Sequence, residues 1–397
     1  MFATDPIVIV GAARTPIGAF QGDFKDLAAP ELGSVAIRAA VARAGIPPDS
    51  VDETFFGCVL PAGLGQAPAR QAAIAAGLPV SSAATTINKM CGSGMKAVML
   101  AHDQILAGSA CVCVAGGMES MTNAPYLLDR ARAGYRMGHG RVLDSMFLDG
   151  LEDAYDKGRL MGTFAEDCAQ SYRFSREAQD AYAVASLERA KQAISGGTFG
   201  AEIAPVIVKS AKSEREVLHD ELPGKAAPER IPQLKPAFRE GGTVTAANSS
   251  AISDGAAALV VMRRSEADRR GIAPLAVIAG HATYAHTPAL FPTAPIGAIR
   301  RLLDRTRWSL AEIDLFEINE AFAVQMVACT SALHLDPAKV NVHGGAIALG
   351  HPIGASGARI LVTLLSALKQ RKLRYGVASL CLGGGNAVAM VVERIPI

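Results

Sequence analysis

The same order of elements recurs at both ends of the chain, and this repeat constrains the fold more than any other feature of the sequence. A strand-like run ends in glycines in CVAGGMES (113–120), and the pattern returns in SLCLGGGN (379–386). Strand-like and helix-like runs alternate before each of these points, which is typical of α/β architecture. At 397 residues the chain is longer than one hydrophobic core usually serves. We therefore predict two related α/β halves, at about 1–120 and 270–397.

The middle of the chain has a different composition. From about 121 to 249, charged residues, proline and glycine are more frequent, as in VKSAKSEREVLHDELPGKAAPERIPQLKPAF. One helix is predicted there, SREAQDAYAVASLERAKQAISGG, which opens with a serine cap and closes at glycine. We predict an N-terminal half at 1–120, an inserted loop domain at 121–249, a return to the first half at 250–270 and a C-terminal half at 271–397.

Charge, hydropathy and cysteine spacing exclude several classes of protein. The 39 basic and 37 acidic residues give a net charge of +2, without the dense basic patch that nucleic-acid binding needs. No apolar run reaches membrane-spanning length, and the N-terminus lacks a basic stretch followed by a long apolar run. We expect a cytoplasmic protein that binds neither nucleic acid nor membrane. The seven cysteines show no disulfide or zinc spacing, so we expect reduced thiols and no metal site.

Cys91 is the first candidate for chemistry. In NKMCGSGMKA it precedes a helix predicted at 95–108, where free backbone N–H groups and the helix dipole favour a thiolate. Gly92 and Gly94 would let a substrate approach the backbone closely. Taken alone, Cys91 is explained equally well as a nucleophile or as a small buried residue. Burial is what we expect of the cysteines in apolar or amphipathic runs, which are Cys58, Cys111, Cys113, Cys168 and Cys329.

Three further polar residues follow predicted strands. His351 lies in HGGAIALGHPIGASGAR, a glycine-dense segment that matches neither of the common nucleotide-binding glycine patterns. Cys381 ends a buried strand, and Asn319 stands in EINEAF where a strand gives way to a helix, either as a helix cap or as a site residue. In an open α/β sheet, ligands bind where strands end. Two thiols and an imidazole at that edge suit acyl transfer.

Together these segments resemble the signature blocks of thiolases. The matching blocks are NKMCGSGMKAV, GGMESM, NEAFA, HGGAIALGHPIGASGARI and CLGGGNA. They cover the chain in order, from VIVGAARTPIGAF to the C-terminal hairpin, and they are most similar to the short-chain type. The resemblance implies the thiolase fold, in which two duplicated βαβαβαββ halves form a five-layer αβαβα core with a loop domain inserted in the first half.

The resemblance also implies a role for each candidate. Cys91 matches the nucleophile that becomes an acetyl-cysteine, and His351 matches the imidazole that activates it. Cys381 matches the acid/base that removes the α-proton of a second acetyl-CoA. Asn319 matches the residue that, through a water, joins His351 in one oxyanion hole, and the backbone N–H groups of Cys91 and Gly383 match the second. The implied activity is the reversible Claisen condensation of two acetyl-CoA to acetoacetyl-CoA and CoA, in a ping-pong scheme.

For coenzyme A, the resemblance points to the loop domain and its rim. The matching positions are Leu151, Met161, Phe238, Ala246, Ser250 and Phe322. Ser250 would bond the pantetheine amide region, while Phe238 and Met161 would form apolar walls. For Leu151 and Met161, packing in the core is the alternative interpretation. Coenzyme A is implied as a substrate, no cofactor is implied, and we expect a homotetramer with 130–142 as a candidate contact loop.

Departures from the family pattern keep other functions open. Leu160 stands where bacterial short-chain thiolases often carry a histidine, so a degradative 3-ketoacyl-CoA thiolase of broader chain length is the alternative activity. Lys225 and Arg230 are candidates for contacts with the nucleotide phosphates. A β-ketoacyl synthase, which typically uses a cysteine with two histidines, is disfavoured by Cys381. A non-catalytic lipid carrier is disfavoured because all three reactive side chains are present.

Overall fold

The computed structural model describes residues 5–209 and 213–395. Its strands are β1 Ile7–Arg14, β2 Gly18–Ala19, β3 Glu53–Gly57, β4 Ala83–Ile87, β5 Val112–Ser120, β6 Tyr126–Leu127, β7 Leu143–Asp144, β8 Val206–Lys209, β9 Glu214–Val217, β10 Ser253–Arg263, β11 Ala276–Ala285, β12 Leu315–Ile318, β13 Tyr375–Leu382 and β14 Asn386–Arg394. Its α-helices are α1 Ala29–Ala44, α2 Pro68–Ala75, α3 Ser93–Ala107, α4 Met161–Tyr172, α5 Arg176–Ser195, α6 Glu221–Lys225, α7 Arg264–Arg269, α8 Ala294–Thr306, α9 Ala323–Leu333, α10 Ala346–Leu349 and α11 Ser356–Gln370.

The main strands follow one another in the order β12-β13-β14-β11-β1-β10-β5-β3-β4. On the N-terminal side, β4, β3 and β5 pair in parallel, and β10 pairs antiparallel with both β5 and β1. The C-terminal side repeats this plan, since β12 and β13 are parallel and β14 is antiparallel to β13 and β11. The counterpart of β4 is reduced to a single parallel bridge between Phe316 and Val340. The predicted duplication is confirmed.

The two sheet halves are joined by a short link and by two central helices. The strands β1 and β11 pair only at Val8–Val277 and Ile9–Ala276. Helices α3 and α11 pack against each other and against strands of both halves, while α1 and α8 each pack on the strands of one half only. This arrangement is the predicted five-layer α/β core of the thiolase fold.

Glycine permits the close approach of the two central helices. A Cβ atom at Gly94 would lie 2.7 Å from the backbone nitrogen of Ala358, and one at Gly357 would lie 2.4 Å from the backbone nitrogen of Met95. Both contacts are with backbone atoms, which cannot move aside as a flexible side chain can. The N-terminal turns of α3 and α11 are therefore held together by glycine.

Burial on two faces explains the composition of the central elements. All nine residues of β5 are buried, as expected of a strand covered by helices on both sides. Helix α3 buries Met95, Val98, Met99 and Ile105, and it begins directly after Gly92, two residues earlier than predicted. The first turn of α3 is thereby brought to the carboxyl end of β5.

The segment between β5 and β10 contains α4, α5 and α6, and corresponds to the predicted insert. Ser175 caps α5 as predicted, because its hydroxyl accepts a hydrogen bond from the backbone N–H of Ala178. The exact limits of the insert, placed at 121 and 249 from the sequence, stay a prediction. Among the helices of the described ranges, none combines the length and apolar character needed to span a bilayer.

The expected burial of the cysteines holds for all but one. Cys58, Cys113, Cys168 and Cys329 are buried, whereas Cys111 is exposed. Cys111 stands in the turn before β5, where its backbone N–H donates to Asp52 at 2.8 Å and its side chain is left in solvent. The prediction was wrong for Cys111 because hydropathy alone does not show which side of a turn faces the core.

Candidate active site

A tight turn presents Cys91 at the start of α3. Met90, the preceding residue, has a φ of +48°, in the left-handed region that bulky side chains rarely adopt. The hydroxyl of Ser93 fixes this turn by accepting from the N–H of Lys89 at 2.8 Å and donating to the carbonyl of Met90 at 2.6 Å. Such strain persists only where the surrounding structure imposes it, and it is common at functional sites.

The protonation state of Cys91 differs from the expectation. Burial raises the pKa of the Cys91 thiol to about 11, and Glu119 acts in the same direction. Hydrogen bonds from the backbone N–H groups of Cys91 and Gly383 lower this pKa, but by less than burial raises it. The N-terminus of α3 therefore does not keep the Cys91 thiol ionised at rest. Another side chain must act as the base that removes its proton. The N–H groups of these two residues converge on the sulfur, and their role as an oxyanion hole stays a prediction.

Cys381 lies beside Cys91 at the end of β13. A Cβ atom at Gly92 would lie 2.4 Å from Cδ2 of Leu382, so the Cys91 turn rests directly on the end of this strand. Burial raises the pKa of Cys381 well above its usual value, and the nearby sulfur of Cys91 raises it further. Cys381 is therefore a protonated thiol in the resting site.

The hydrogen bonds around His351 define its tautomer. Its Nδ1 lies 2.6 Å from Oγ of Ser356, whose hydroxyl donates to the carbonyl of Pro352 at 2.9 Å. Because the serine hydrogen is used in that bond, Nδ1 carries the imidazole hydrogen and Nε2 carries a lone pair. Nε2 is buried and has no partner within the described residues. Burial, assisted by Arg359, lowers the pKa of His351 to about 3, so the ring is a neutral base.

Asn319 is completely buried, yet neither its Oδ1 nor its Nδ2 has a partner within the described residues. The structure excludes the predicted alternative of a helix cap, because the N-cap of α9 is Phe322. A buried amide without partners costs free energy unless a water or a ligand satisfies it. Asn319 therefore marks a place where such a molecule binds.

Segment 249–251 connects the Asn319 turn to the His351 turn. The N–H of Ser250 donates to the carbonyl of Ala321 at 2.9 Å, and the N–H of His351 donates to the carbonyl of Ala251 at 3.0 Å. The turn after His351 also reaches α3, since the carbonyl of Ala355 would lie 3.1 Å from a Cβ atom at Gly94. Turns from both halves thus meet at the first turn of α3.

Aromatic and thioether side chains form an apolar wall next to this meeting point. The rings of Phe238 and Phe322 lie edge to face at 6.2 Å, and both pack in one cluster with Cys381 and Met161. Sδ of Met161 would lie 3.7 Å from a Cβ atom at Gly383. Leu151 packs in a different apolar cluster, together with Met90 and Cys91. Both interpretations of Leu151 and Met161 are compatible with this, since each packs in an apolar cluster beside the site.

Ala246 lines a surface groove together with Lys225 and Arg230. The same groove is also lined by Ala247, Ala251, Ile347 and Ala348. Lys225 is exposed and its ammonium bonds the carboxylate of Glu221. The two basic residues proposed from the sequence therefore lie on the same groove as Ala246.

Glu119 is a site residue that the sequence analysis did not single out. Its carboxylate accepts from the N–H groups of Val59 at 2.9 Å, Leu60 at 3.1 Å and Gly354 at 2.8 Å, and lies 3.5 Å from Sγ of Cys58. Burial raises its pKa to about 7 against these hydrogen bonds. A lone carboxylate in the fully buried strand VCVAGGMES was the available signal. Ser356 was missed as well, and its signal was a hydroxyl one helical turn after the His351-Pro352 pair.

The site thus combines a partly buried thiol, a neutral imidazole with a free lone pair, a fully buried second thiol and convergent N–H donors. The imidazole can accept the thiol proton, and the N–H groups can stabilise an oxyanion beside the sulfur. This is the chemistry of acyl transfer through a covalent thioester.

Comparisons with known proteins agree with this chemistry. Residues 7–265 match the family model described as thiolase, N-terminal domain, and residues 272–394 match thiolase, C-terminal domain. The chain is 50% identical over 390 residues to the acetyl-CoA acetyltransferase of Cupriavidus necator, covering 98% of this chain and 99% of that protein. It is 51% identical over 391 residues to acetyl-CoA acetyltransferase 1 of Arabidopsis thaliana, covering 98% and 94%. The crystal structure of the Bacillus anthracis acetyl-CoA acetyltransferase superposes with a TM-score of 0.96 at 42% identity, covering all of both chains.

Proposed function

The chain belongs to the thiolase family, and from this premise we propose that it is an acetyl-CoA C-acetyltransferase. The reaction is the reversible condensation of two acetyl-CoA molecules to acetoacetyl-CoA and CoA. The main support for the proposal is the neutral His351 with its unpartnered Nε2. It lies in one of the turns that meet at the first turn of α3, where the protonated Cys91 is located. This substrate is supported by relatives named acetyl-CoA acetyltransferase, which are 50% and 51% identical to the chain over 98% of its length.

In the first half-reaction, we assign Nε2 of His351 as the base that takes the Cys91 proton. The thiolate attacks the acetyl-CoA carbonyl, and the N–H groups of Cys91 and Gly383 stabilise the developing oxyanion. Removal of one such donor costs roughly 3–4 kcal/mol in other enzymes. The C–S bond to coenzyme A then breaks. Cys381, which is protonated at rest, can give its proton to the leaving thiolate.

The second half-reaction uses the thiolate that this proton transfer leaves on Cys381. Because burial makes that thiolate strongly basic, it can remove the α-proton of a second acetyl-CoA. The carbanion attacks the acetyl-cysteine, and the C–S bond to Cys91 breaks. His351 returns its proton to Cys91, so both thiols end the cycle protonated. A water held by Asn319 and Nε2 of His351 would stabilise the enolate oxygen of the second substrate.

For coenzyme A, we propose the groove lined by Lys225, Arg230 and Ala246, with Ser250 adjacent in sequence to its lining residue Ala251. The two basic side chains suit the nucleotide phosphates, and the Ser250 region suits the pantetheine amides. Met161, Phe238 and Phe322 would cover the thioester end, with Leu151 in the apolar cluster that contains Cys91. Removal of both charges, in Lys225→Ala with Arg230→Ala, should raise the Michaelis constant for acetyl-CoA. An unchanged constant would reject this phosphate assignment.

The test of the function compares CoA-dependent thiolysis of acetoacetyl-CoA with that of 3-ketooctanoyl-CoA and 3-ketododecanoyl-CoA. A strong preference for acetoacetyl-CoA is expected. Comparable or faster cleavage of the longer substrates would instead favour the degradative 3-ketoacyl-CoA thiolase, with Leu160 marking a wider pocket. Lack of thiolysis of all three would reject both activities.

Assembly and context are part of the same proposal. We propose a cytoplasmic homotetramer in fatty acid metabolism that needs no cofactor for the reaction. Exposed apolar side chains in the loop around the predicted contact segment 130–142 support assembly, among them Tyr126, Leu128, Met137 and Val142. Sedimentation analysis of the wild type and of Met137→Ser with Val142→Ser tests it, and a wild-type monomer or dimer would contradict it.

A further inference from the structure

A cluster of possible metal ligands lies away from the proposed reaction centre. Nδ1 of His102 is 3.0 Å from Oδ1 of Asp103, and Nε2 of His281 is 2.9 Å from the same oxygen. The two imidazole nitrogens are 3.3 Å apart. His102 and Asp103 lie in the last two turns of α3, whereas His281 belongs to β11 in the other half of the protein. The cluster therefore joins the two halves at the end of α3 opposite Cys91.

The backbone of β11 directs His281 towards α3. The pairing of β11 with β14 shifts by one residue between Ile278 and Gly280, which is the geometry of a β-bulge. Gly280 faces α8, since a Cβ atom there would lie 2.6 Å from Cγ2 of Thr306. Successive residues of a strand point to opposite faces. The next side chain, His281, consequently points to the face that α3 covers.

The spacing of the three atoms fits a bound ion without rearrangement. Zinc is bound by histidine nitrogen and carboxylate oxygen at about 2.0–2.1 Å. With the three atoms about 3 Å apart, a point roughly 1 Å above their plane lies at that distance from each of them. Two imidazoles and one carboxylate form a donor set suited to zinc and its neighbours among the divalent transition metals.

Solvent access allows an ion to bind, whereas the surrounding charge limits the strength of binding. The side chains of His102 and His281 are 13% and 16% exposed, and that of Asp103 is 50% exposed, so an ion can reach the cluster from solvent. The ammonium of Lys96 is close enough to act electrostatically on His281. The ammonium of Lys96 also opposes a cation, and one carboxylate does not neutralise a divalent ion. Binding of moderate strength is expected.

We propose that His102, Asp103 and His281 bind one divalent zinc-type metal ion per chain, which ties α3 to β11. The ion has a structural role, because the cluster lies at the end of the helix opposite Cys91. The site cannot be recognised from ligand spacing in the sequence, because Asp103 and His281 are 178 positions apart. None of these three residues takes part in the proposed mechanism.

The test is a zinc titration of the full-length protein by isothermal calorimetry, with the thermal midpoint measured in parallel. His281→Gln and Asp103→Asn each remove one ligand, and His139→Gln is the control, because His139 lies in an exposed loop. All variants keep all seven cysteines, so zinc held by thiols is common to them. We expect the wild type and the control to bind one more Zn²⁺ per chain than either ligand variant. The affinity for this ion should be at least tenfold lower in the ligand variants. Equal zinc binding by all four proteins would overturn the proposal and leave a hydrogen-bonded cluster.

Lys96→Met provides a second test that does not depend on the folding of the ligand variants. Removal of the opposing charge should tighten zinc binding, whereas a purely hydrogen-bonded cluster would show no change. Treatment with a chelator should lower the thermal midpoint of the wild type and leave thiolysis of acetoacetyl-CoA intact below that temperature. Failure of the zinc site is thus distinguishable from failure of the proposed function.

Discussion

Ser356 is the partner of Nδ1 of His351 and leaves Nε2 as the ring nitrogen without a partner among the described residues. Its hydroxyl donates to the carbonyl of Pro352 and can therefore only accept from Nδ1 of His351, at 2.6 Å. The free lone pair on Nε2 follows from this arrangement rather than from the histidine itself. A residue that takes no direct part in the chemistry thus determines whether the base can work.

Ser356→Ala should therefore lower kcat while leaving the Michaelis constant for acetyl-CoA nearly unchanged. Without the acceptor for Nδ1, the ring can adopt the other tautomer and can rotate. We expect a loss of about 10- to 100-fold, less than or equal to the effect of removing a general base. Steady-state thiolysis measures it, with Ser366→Ala on the same helix as the control. If Ser356→Ala matched the control, the assignment of the tautomer would be wrong.

Substitutions of Cys91 and of Cys381 should differ in how much acyl-enzyme formation they remove. Cys91→Ala is expected to abolish acetylation because no nucleophile remains. Cys381→Ser should retain part of the acylation step and lose condensation, since the serine hydroxyl is too weak an acid and base to replace the thiol. Mass spectrometry of protein mixed with acetyl-CoA measures the acyl-enzyme, and Cys111→Ser, in an exposed turn, is the control. Equal loss of acyl-enzyme in both variants would contradict this division of roles.

Alkylation of Cys91 by iodoacetamide should depend steeply on pH. A thiol with a pKa of about 11 is only slightly ionised at pH 7, and its thiolate fraction rises about tenfold for each pH unit below that pKa. His351 stays neutral over the whole range from pH 5 upwards because its pKa is about 3, so it adds no inflection. The second-order inactivation rate is expected to keep rising through pH 10. A plateau below pH 9 would show that the site stabilises the thiolate after all.

Glu119→Gln should destabilise the protein. The carboxylate accepts three backbone hydrogen bonds from two separate loops, and the amide that replaces it presents an NH₂ group to some of these donors. Leaving buried N–H groups unpaired costs roughly 1–3 kcal/mol each, so we expect a loss of about 2–4 kcal/mol in the free energy of unfolding. Urea denaturation measures it, and Glu240→Gln at an exposed position is the control. Equal stability of the two variants would mean that Glu119 does not hold these loops.

Gly357→Ala should also destabilise the protein, although alanine favours helices. The added Cβ would lie 2.4 Å from the backbone nitrogen of Met95, and overpacking of this kind costs about 1–3 kcal/mol. Gly224→Ala in α6 is the matched control, since a Cβ there meets nothing within 4 Å. Thermal denaturation should show a lower midpoint for the first variant only. A higher midpoint for both would show that the central helices can move apart at no cost.

Local patterns in the sequence predicted the elements well. Helix α5 was predicted from its serine cap and its closing glycine, and it spans Arg176–Ser195 with Ser175 as its N-cap, because both end signals are local. The repeat of glycine-terminated strands predicted the duplication for the same reason. The short pairing of β1 with β11, which joins the two halves into one sheet, depends on contacts distant in sequence and was not predicted.

The protonation states of the site could not be predicted from local sequence. The position of Cys91 before a helix suggested a thiolate, but burial by residues from both halves outweighs the helix terminus. The hydrogen bond between Ser356 and His351, and those that Glu119 accepts from three backbone N–H groups, likewise depend on atoms that the fold brings together. Sequence therefore supplied the candidate side chains through their resemblance to a family, while the tertiary structure determines their charge.

The close approach of α3 and α11 at Gly94 and Gly357 has a consequence for how such a protein can change. Each half supplies one central helix that is covered only when the other half is present, so neither half should fold when it is expressed by itself. In a chimera that joins halves from two relatives, α3 and α11 would both need small residues at the positions where the two helices approach each other. The duplicated halves are therefore constrained to evolve as a pair, despite being copies of one unit.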